Sequence, residues 1–202
     1  LAIITVPKQL ALQAVDECGE KGIKGLIVIT AGFKEVGNGG AELEKQLAEK
    51  INHYGMRMIG PNCMGIINTD EAVQLNATFS PTQLTKGNIA FISQSGALGV
   101  AILENAVSLN LGISVFASVG NKTNVSGNDL LEYWRDDKQT RLILMYLESF
   151  GNPKKFIELA RSITRIKPII TVKAGRTAAG ARAASSHTGA LAGSDEVMSA
   201  AF

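Results

Sequence analysis

Histidine is scarce in this 202-residue chain, which holds two. One of them, His187, stands in the run Ala183-Ala184-Ser185-Ser186-His187-Thr188-Gly189-Ala190-Leu191-Ala192-Gly193. Gly, Ala and Ser bury little area, so such a run builds no core, but it lets a backbone approach a ligand closely and lets it move. An imidazole held there, just ahead of a helix beginning near Gly193-Ser194-Asp195-Glu196, can meet water, phosphate or a partner group; the bland reading is a solvated loop histidine. Neutral imidazole is nucleophilic as it stands, whereas the hydroxyls of Ser185, Ser186 and Thr188 need a base before they attack. A second small-residue turn, Ser93-Gln94-Ser95-Gly96, follows an apolar strand and opens a helix. Free backbone N–H groups and the helix dipole favour an anion at such a point. Ser93 or Ser95 can equally be a plain N-cap, and a capped terminus still accepts phosphate. The turn is not a Walker loop, since no Gly-Lys-Ser/Thr follows, and not a hydrolase nucleophile elbow, since Ser93 rather than Gly stands two residues before Ser95. Glu148 closes the apolar run Leu142-Ile143-Leu144-Met145-Tyr146-Leu147. An acid at that point is either a solvated loop residue or the group that orients an imidazole and fixes which nitrogen is free.

The remaining chemically capable residues are dispersed. His53, His187, Cys18 and Cys63 show no ligand spacing, so no metal site is expected. His53 reads as a surface residue at a helix end. Cys63, in the turn Pro61-Asn62-Cys63, reads as a small residue against a ligand rather than as a reactive thiol.

Elements able to position these residues follow from the pattern. Leu1–Val6 is a short apolar strand, and Pro7 starts a helix as its first residue. Lys24–Thr30 is a second strand, ended by Ala31-Gly32, and Gly37-Asn38-Gly39-Gly40 reads as a flexible loop. Leu43, Leu47 and Ile51 recur at helical spacing over 41–53. Met56–Gly60 is a third strand, so the first third of the chain alternates βαβαβ, which implies a parallel sheet with right-handed crossovers. Residues 68–86 lack strong periodicity and read as a linker with one irregular strand. A second alternation follows, with strands at 88–92, 113–118, 141–147 and 168–172. Between them lie helices opening at Ser93–Gly96, after Asn128 and at Pro153. Thr30, Asn62-Cys63, Ser93–Gly96 and Glu148 all fall at carboxyl ends of expected strands, where open parallel sheets bind ligands.

Composition narrows the function classes. Hydrophobic residues are 46% and aromatics 5%, with 21 glycines. That suits an α/β protein better than a stacking surface for nucleic acid. The formal net charge is +2 with the charges interspersed, so neither a nucleic-acid nor a membrane partner is expected. Two cysteines give no disulfide framework and point to a reducing cytoplasm. No run spans a bilayer. The sequence begins inside an apolar run without Met and stops inside a helical pattern, and it reads as a fragment.

Gly60-Pro61-Asn62-Cys63-Met64-Gly65, Gly87-Asn88-Ile89-Ala90-Phe91-Ile92-Ser93-Gln94-Ser95-Gly96-Ala97, Lys173-Ala174-Gly175-Arg176-Thr177 and Ser185-Ser186-His187-Thr188-Gly189 together resemble the ADP-forming acyl-CoA synthetases of the succinyl-CoA synthetase superfamily. The resemblance runs in order along essentially the whole chain. It implies an incomplete Rossmann-like CoA-binding domain over 1–80, followed over 81–202 by a flavodoxin-like ligase domain, both with parallel sheets. It also implies interconversion of acyl-CoA, ADP and phosphate with acid, CoA and ATP. By position, His187 matches the phosphorylated histidine and Glu148 the acid that holds its imidazole. Ser93, Gln94, Ser95, Gly96 and Gly189 match phosphate-binding positions, and Val6, Pro7, Thr30, Asn62 and Cys63 positions lining the CoA site. ATP or ADP with Mg2+ would sit on an ATP-grasp domain elsewhere, and the enzyme would be oligomeric. Met64 departs from the proline of succinyl-CoA synthetases, and Asn121-Lys122 stands where those have paired glycines, so acetate or another short or branched acid is expected rather than succinate. The competing reading is a CoA-sensing, synthetase-like region of a protein lysine acetyltransferase. A dinucleotide-binding oxidoreductase ranks last, because no strand is followed by Gly-x-Gly-x-x-Gly.

Overall fold

The computed structural model describes residues 1–175. Its first sheet is three-stranded in the order β1-β2-β3, built from β1 (Ala2–Ile4), β2 (Gly25–Val28) and β3 (Arg57–Ile59). All pairings are parallel. The crossovers are α1 (Lys8–Glu20) and α2 (Asn38–His53). Pro7 takes the position ahead of α1 rather than inside it, with φ −52°, a value its ring fixes without strain. The segment expected as a loop at Gly37–Gly40 is mostly the first turn of α2. Tertiary burial overrides the poor helix propensity of its glycines, since Leu47 and Ile51 on the same helix are fully buried against Val15, Val28 and Met58.

The second sheet is six-stranded and includes β4 (Gly65–Asn68) and β5 (Leu75–Thr78) at one edge, outside four parallel strands. Its parallel part comprises β6 (Lys86–Ser93), β7 (Ile113–Ser118), β8 (Leu142–Leu147) and β9 (Ile169–Lys173). Every residue from Ile89 to Ser93 is buried, as expected of a central parallel strand covered on both faces. Ala90 and Ile92 pack with Trp134 of α4 (Gly127–Asp136) and Phe156 of α5 (Pro153–Ile163). Ile89 and Phe91 pack with Leu103 of α3 (Gly96–Ser108).

The stretch expected as a linker differs. β4 (Gly65–Asn68) pairs antiparallel with β5 (Leu75–Thr78) and with β7, so the second sheet is mixed and the chain changes sheet between β3 and β4. These strands have four residues each, too few for a periodic signal. Their connection turns on Asp70, whose carboxylate accepts from the Ala72 N–H at 2.7 Å.

Candidate active site

The carboxyl ends of both sheets meet. Gly60-Pro61-Asn62-Cys63 follows β3, and the Asn62 N–H donates to the Thr30 carbonyl at 3.0 Å. Across from it, the segment after β7 donates the Asn121 N–H to the Pro61 carbonyl at 2.9 Å and the Thr123 N–H to the Gly60 carbonyl at 3.2 Å. Between them opens a cleft of about 500 Å³, lined on one side by Ile29, Ala31, Asn62 and Cys63 and on the other by Gln94, Ser95, Gly96 and Ala97. The side chains lining it among the described residues are uncharged.

The helix side of the cleft is built from its own sequence. Ser95 is the N-cap of α3, its Oγ accepting the Leu98 N–H at 3.4 Å. Ser93 is fully buried beneath the turn and donates to the Ser95 carbonyl at 2.5 Å, so it shapes the turn. Among the described residues the N–H groups of Gly96 and Ala97 have no acceptor, and a terminus of this kind accepts an anion. A Cβ at Gly96 would lie no closer than 3.7 Å to any neighbour, the nearest being Met64, so the backbone there is open to a ligand.

Gln94 is a hub. Its Oε1 accepts from the Glu148 N–H at 3.0 Å, the Ser149 N–H at 3.1 Å and Lys122 Nζ at 3.2 Å. Its amide therefore fastens the start of α3 to the turn after β8, where Glu148 is buried. The structure thus brings Gln94, Ser95, Gly96 and Glu148 together, and with them Asn62 and Cys63 across the cleft. Val6, Pro7 and Thr30 are not in its lining. Thr30 Oγ1 donates to the Val6 carbonyl at 2.7 Å and ties the ends of β1 and β2. His187 and Gly189 lie outside the described residues.

Two groups here make contacts that the sequence does not show, although Asn121-Lys122 stands out in it as a departure from paired glycines. Lys122 sits in a polar turn at φ 56°, and its ammonium donates to the Ser149 carbonyl at 2.6 Å and to Ser149 Oγ at 2.7 Å besides Gln94. Burial, with the cations of Lys34 and Lys173 nearby, pulls it down to about 8 against the opposing pull of Glu148. The second group is a polar bridge between the sheets. Asn121 Nδ2 donates to Glu35 at 2.6 Å and to Glu44 at 2.8 Å. Lys34 pairs with Glu44 at 2.9 Å and donates to the Asn121 carbonyl at 2.5 Å, and Thr123 also donates to Glu44. Glu35 is drawn up by burial and more strongly down by hydrogen bonds from Asn121 and the Gly32 N–H, so it stays below the usual carboxylate range.

Two α/β units share one cleft, in which a strand-end turn faces a helix N-terminus. Residues 86–202 match the succinyl-CoA ligase-like flavodoxin domain, and residues 1–69 match a CoA-binding domain; the chain belongs to the succinyl-CoA ligase-like family. It is 50% identical over its whole length to the alpha subunit of an ADP-forming acetate–CoA ligase, form II, of Pyrococcus furiosus, of which it covers 44%. It is 48% identical to the form I alpha subunit of the same organism, of which it covers 43%. The fold superposes with TM-score 0.93 on the dinucleotide-forming acetyl-coenzyme A synthetase 1 of Ca. Korarchaeum cryptofilum in complex with phosphate and ADP, at 47% identity, covering 99% of this chain and 43% of that one. The chain thus spans less than half the length of these relatives.

Proposed function

We propose that this chain is the CoA-binding and ligase portion of an ADP-forming acyl-CoA synthetase, and that the cleft between Asn62-Cys63 and Gln94–Ala97 is where acyl-CoA meets phosphate. The observation that carries this is the shared lining of that cleft by a turn of the CoA-binding unit and the N-terminus of α3. The named relatives are ligases, which favours synthesis over CoA sensing. A phosphate oxygen attacks the thioester carbonyl, the C–S bond breaks, CoA leaves as thiolate and an acyl phosphate remains. A ring nitrogen of His187 then attacks phosphorus, the bond to the acyl oxygen breaks, and the acid leaves as carboxylate. Glu148 faces the resulting cationic ring, while the Gly96 and Ala97 N–H groups hold phosphoryl oxygens. The phosphoryl group passes to ADP on an ATP-grasp domain or subunit, where the nucleotide brings Mg2+. The reverse sequence makes acyl-CoA from acid, ATP and CoA. Asn62 and Cys63 line the CoA path, with Val6, Pro7 and Thr30 at the adjoining strand ends. The substrate is a short or branched acid such as acetate, and the assembled enzyme is a cytoplasmic oligomer.

The complete enzyme incubated with labelled ATP and magnesium should acquire an acid-labile, base-stable label. His187→Ala should abolish both that label and acyl-CoA synthesis. An acid-stable label, or one that survives in the Ala variant, assigns the chemistry to a hydroxyl or carboxylate and ends this reading.

A further inference from the structure

We propose that Lys122 is a positioning residue for phosphoryl transfer, clamping the Gln94 turn at the start of α3 to the Glu148-Ser149 turn so that the anion site and the buried carboxylate act as one unit. This inference rests on the synthetase reading. Three observations carry it. The ammonium reaches both turns at once, with Gln94 Oε1 at 3.2 Å on one and the carbonyl and Oγ of Ser149 at 2.6 and 2.7 Å on the other. Gln94 alone already accepts two N–H groups of the second turn, so Lys122 adds charge-assisted bonds to a contact that neutral amides have begun. The backbone at Lys122 is left-handed, a conformation that a residue with a Cβ holds only when its surroundings impose it. Its N–H donates to the Val119 carbonyl at 3.0 Å, which fixes the turn that aims the side chain.

The clamp is sensitive to protonation. Among the described residues, Lys34 from the turn before α2, Glu148 after β8 and Lys173 at the end of β9 are the charged groups that act on Lys122. Below about pH 8 the ammonium is intact and donates to all its acceptors; above it a neutral amine has one donor fewer and no charge. Transfer should therefore fall on the alkaline side.

The test uses the complete enzyme carrying Lys122→Met or Lys122→Arg. Synthesis of ATP from acyl-CoA, phosphate and ADP should lose about 30-fold in kcat/KM for phosphate in the Met variant, with the KM for acyl-CoA unchanged. The Arg variant should recover much of that loss and should also lose the alkaline fall near pH 8, because guanidinium does not titrate there. Amide exchange at fixed pH reads the clamp without turnover: Lys122→Met should raise exchange at 92–98 and at 147–151 together, by about tenfold. Unchanged exchange in either segment overturns the proposal, as does an Arg variant that recovers none of the activity the Met variant loses. An enzyme that makes no acyl-CoA at all brings down the synthetase reading, and the exchange measurement still decides the clamp.

Discussion

The Cys63 thiol donates to the Val28 carbonyl at 3.3 Å and is 6% exposed, although it borders the cleft. Burial pushes it up to about 12, outweighing the backbone hydrogen bonds that pull the other way. A thiol in that state is not a nucleophile near neutrality, since the thiolate is the reactive form. Cys63 lines the cleft as a small, slightly polarisable group. Alkylation with iodoacetamide at pH 8 should therefore leave Cys63 unmodified in the folded chain, at least about a hundredfold slower than in urea. Half-buried Cys18 provides the internal comparison. Rapid modification of Cys63 in the native protein would make it a candidate for chemistry instead. The same contrast holds for Ser93 and Gln94. Sequence places both at an anion site, and the structure turns Ser93 inward to brace the turn while Gln94 gathers donors from a neighbouring strand end.

At the scale of elements, the cleft depends on how closely the turn after β7 approaches the turn after β3. Gly120 makes that approach, with φ +52° and with the place of a Cβ only 2.2 Å from the Asn62 carbonyl oxygen and 2.3 Å from that of Pro61. Both neighbours are backbone, so no side-chain rotation relieves the overlap. Gly120→Ala should cost about 2–4 kcal/mol and pull the two turns apart. Gly22→Ala, also at positive φ but with nothing within 4 Å of its Cβ position, should cost about 1 kcal/mol. Urea midpoints of the two variants compare these directly, and equal costs would mean that the approach is not tight. This dependence also explains what was legible in the sequence. Parallel alternation, the strand ends and the N-cap turn at Ser95 are local patterns, and each was readable from apolar runs and small residues. β4 and β5 were not, because strands of four residues are too short for a periodic signal, and β4 takes its register from β7 across the chain while β5 takes its own from β4. The clamp by Lys122 and the bridge at Asn121 were hidden by distance as well. Their partners lie 27 and 86 residues away, and nothing in an Asn-Lys-Thr-Asn turn states which way its side chains point.

Taken whole, the molecule is two sheets joined at their carboxyl ends, by an apolar cluster in which Ile27 and Ile59 pack with Val119 and by a polar bridge beside it. Asn121 spans the joint, donating to Glu35 and Glu44 of the first unit from a loop of the second. Glu44 is 6% exposed and Asn121 7%, so removing the amide leaves carboxylates with fewer donors in a place water reaches poorly. Asn121→Ala should then destabilise the 202-residue chain by about 2 kcal/mol at pH 7. The pH dependence has a definite sign. Glu35 titrates below its ordinary 4.5 in the folded chain, with Asn121 the largest of the contacts that lower it. As pH falls through 4.5 the unfolded chain takes up its proton first, so the stability contributed by ionised Glu35 is present above that value and drains away as pH drops through the lower folded value. The variant has already lost part of that contribution. The gap between wild type and Asn121→Ala should therefore be widest near pH 7 and should narrow toward pH 4. Urea unfolding followed by the fluorescence of fully buried Trp134, the one tryptophan in the chain, measures it at each pH. A gap that stays constant across this range would remove the Glu35 carboxylate from the joint and assign the cost to the contacts of the Asn121 side chain with Glu44 and Asn62.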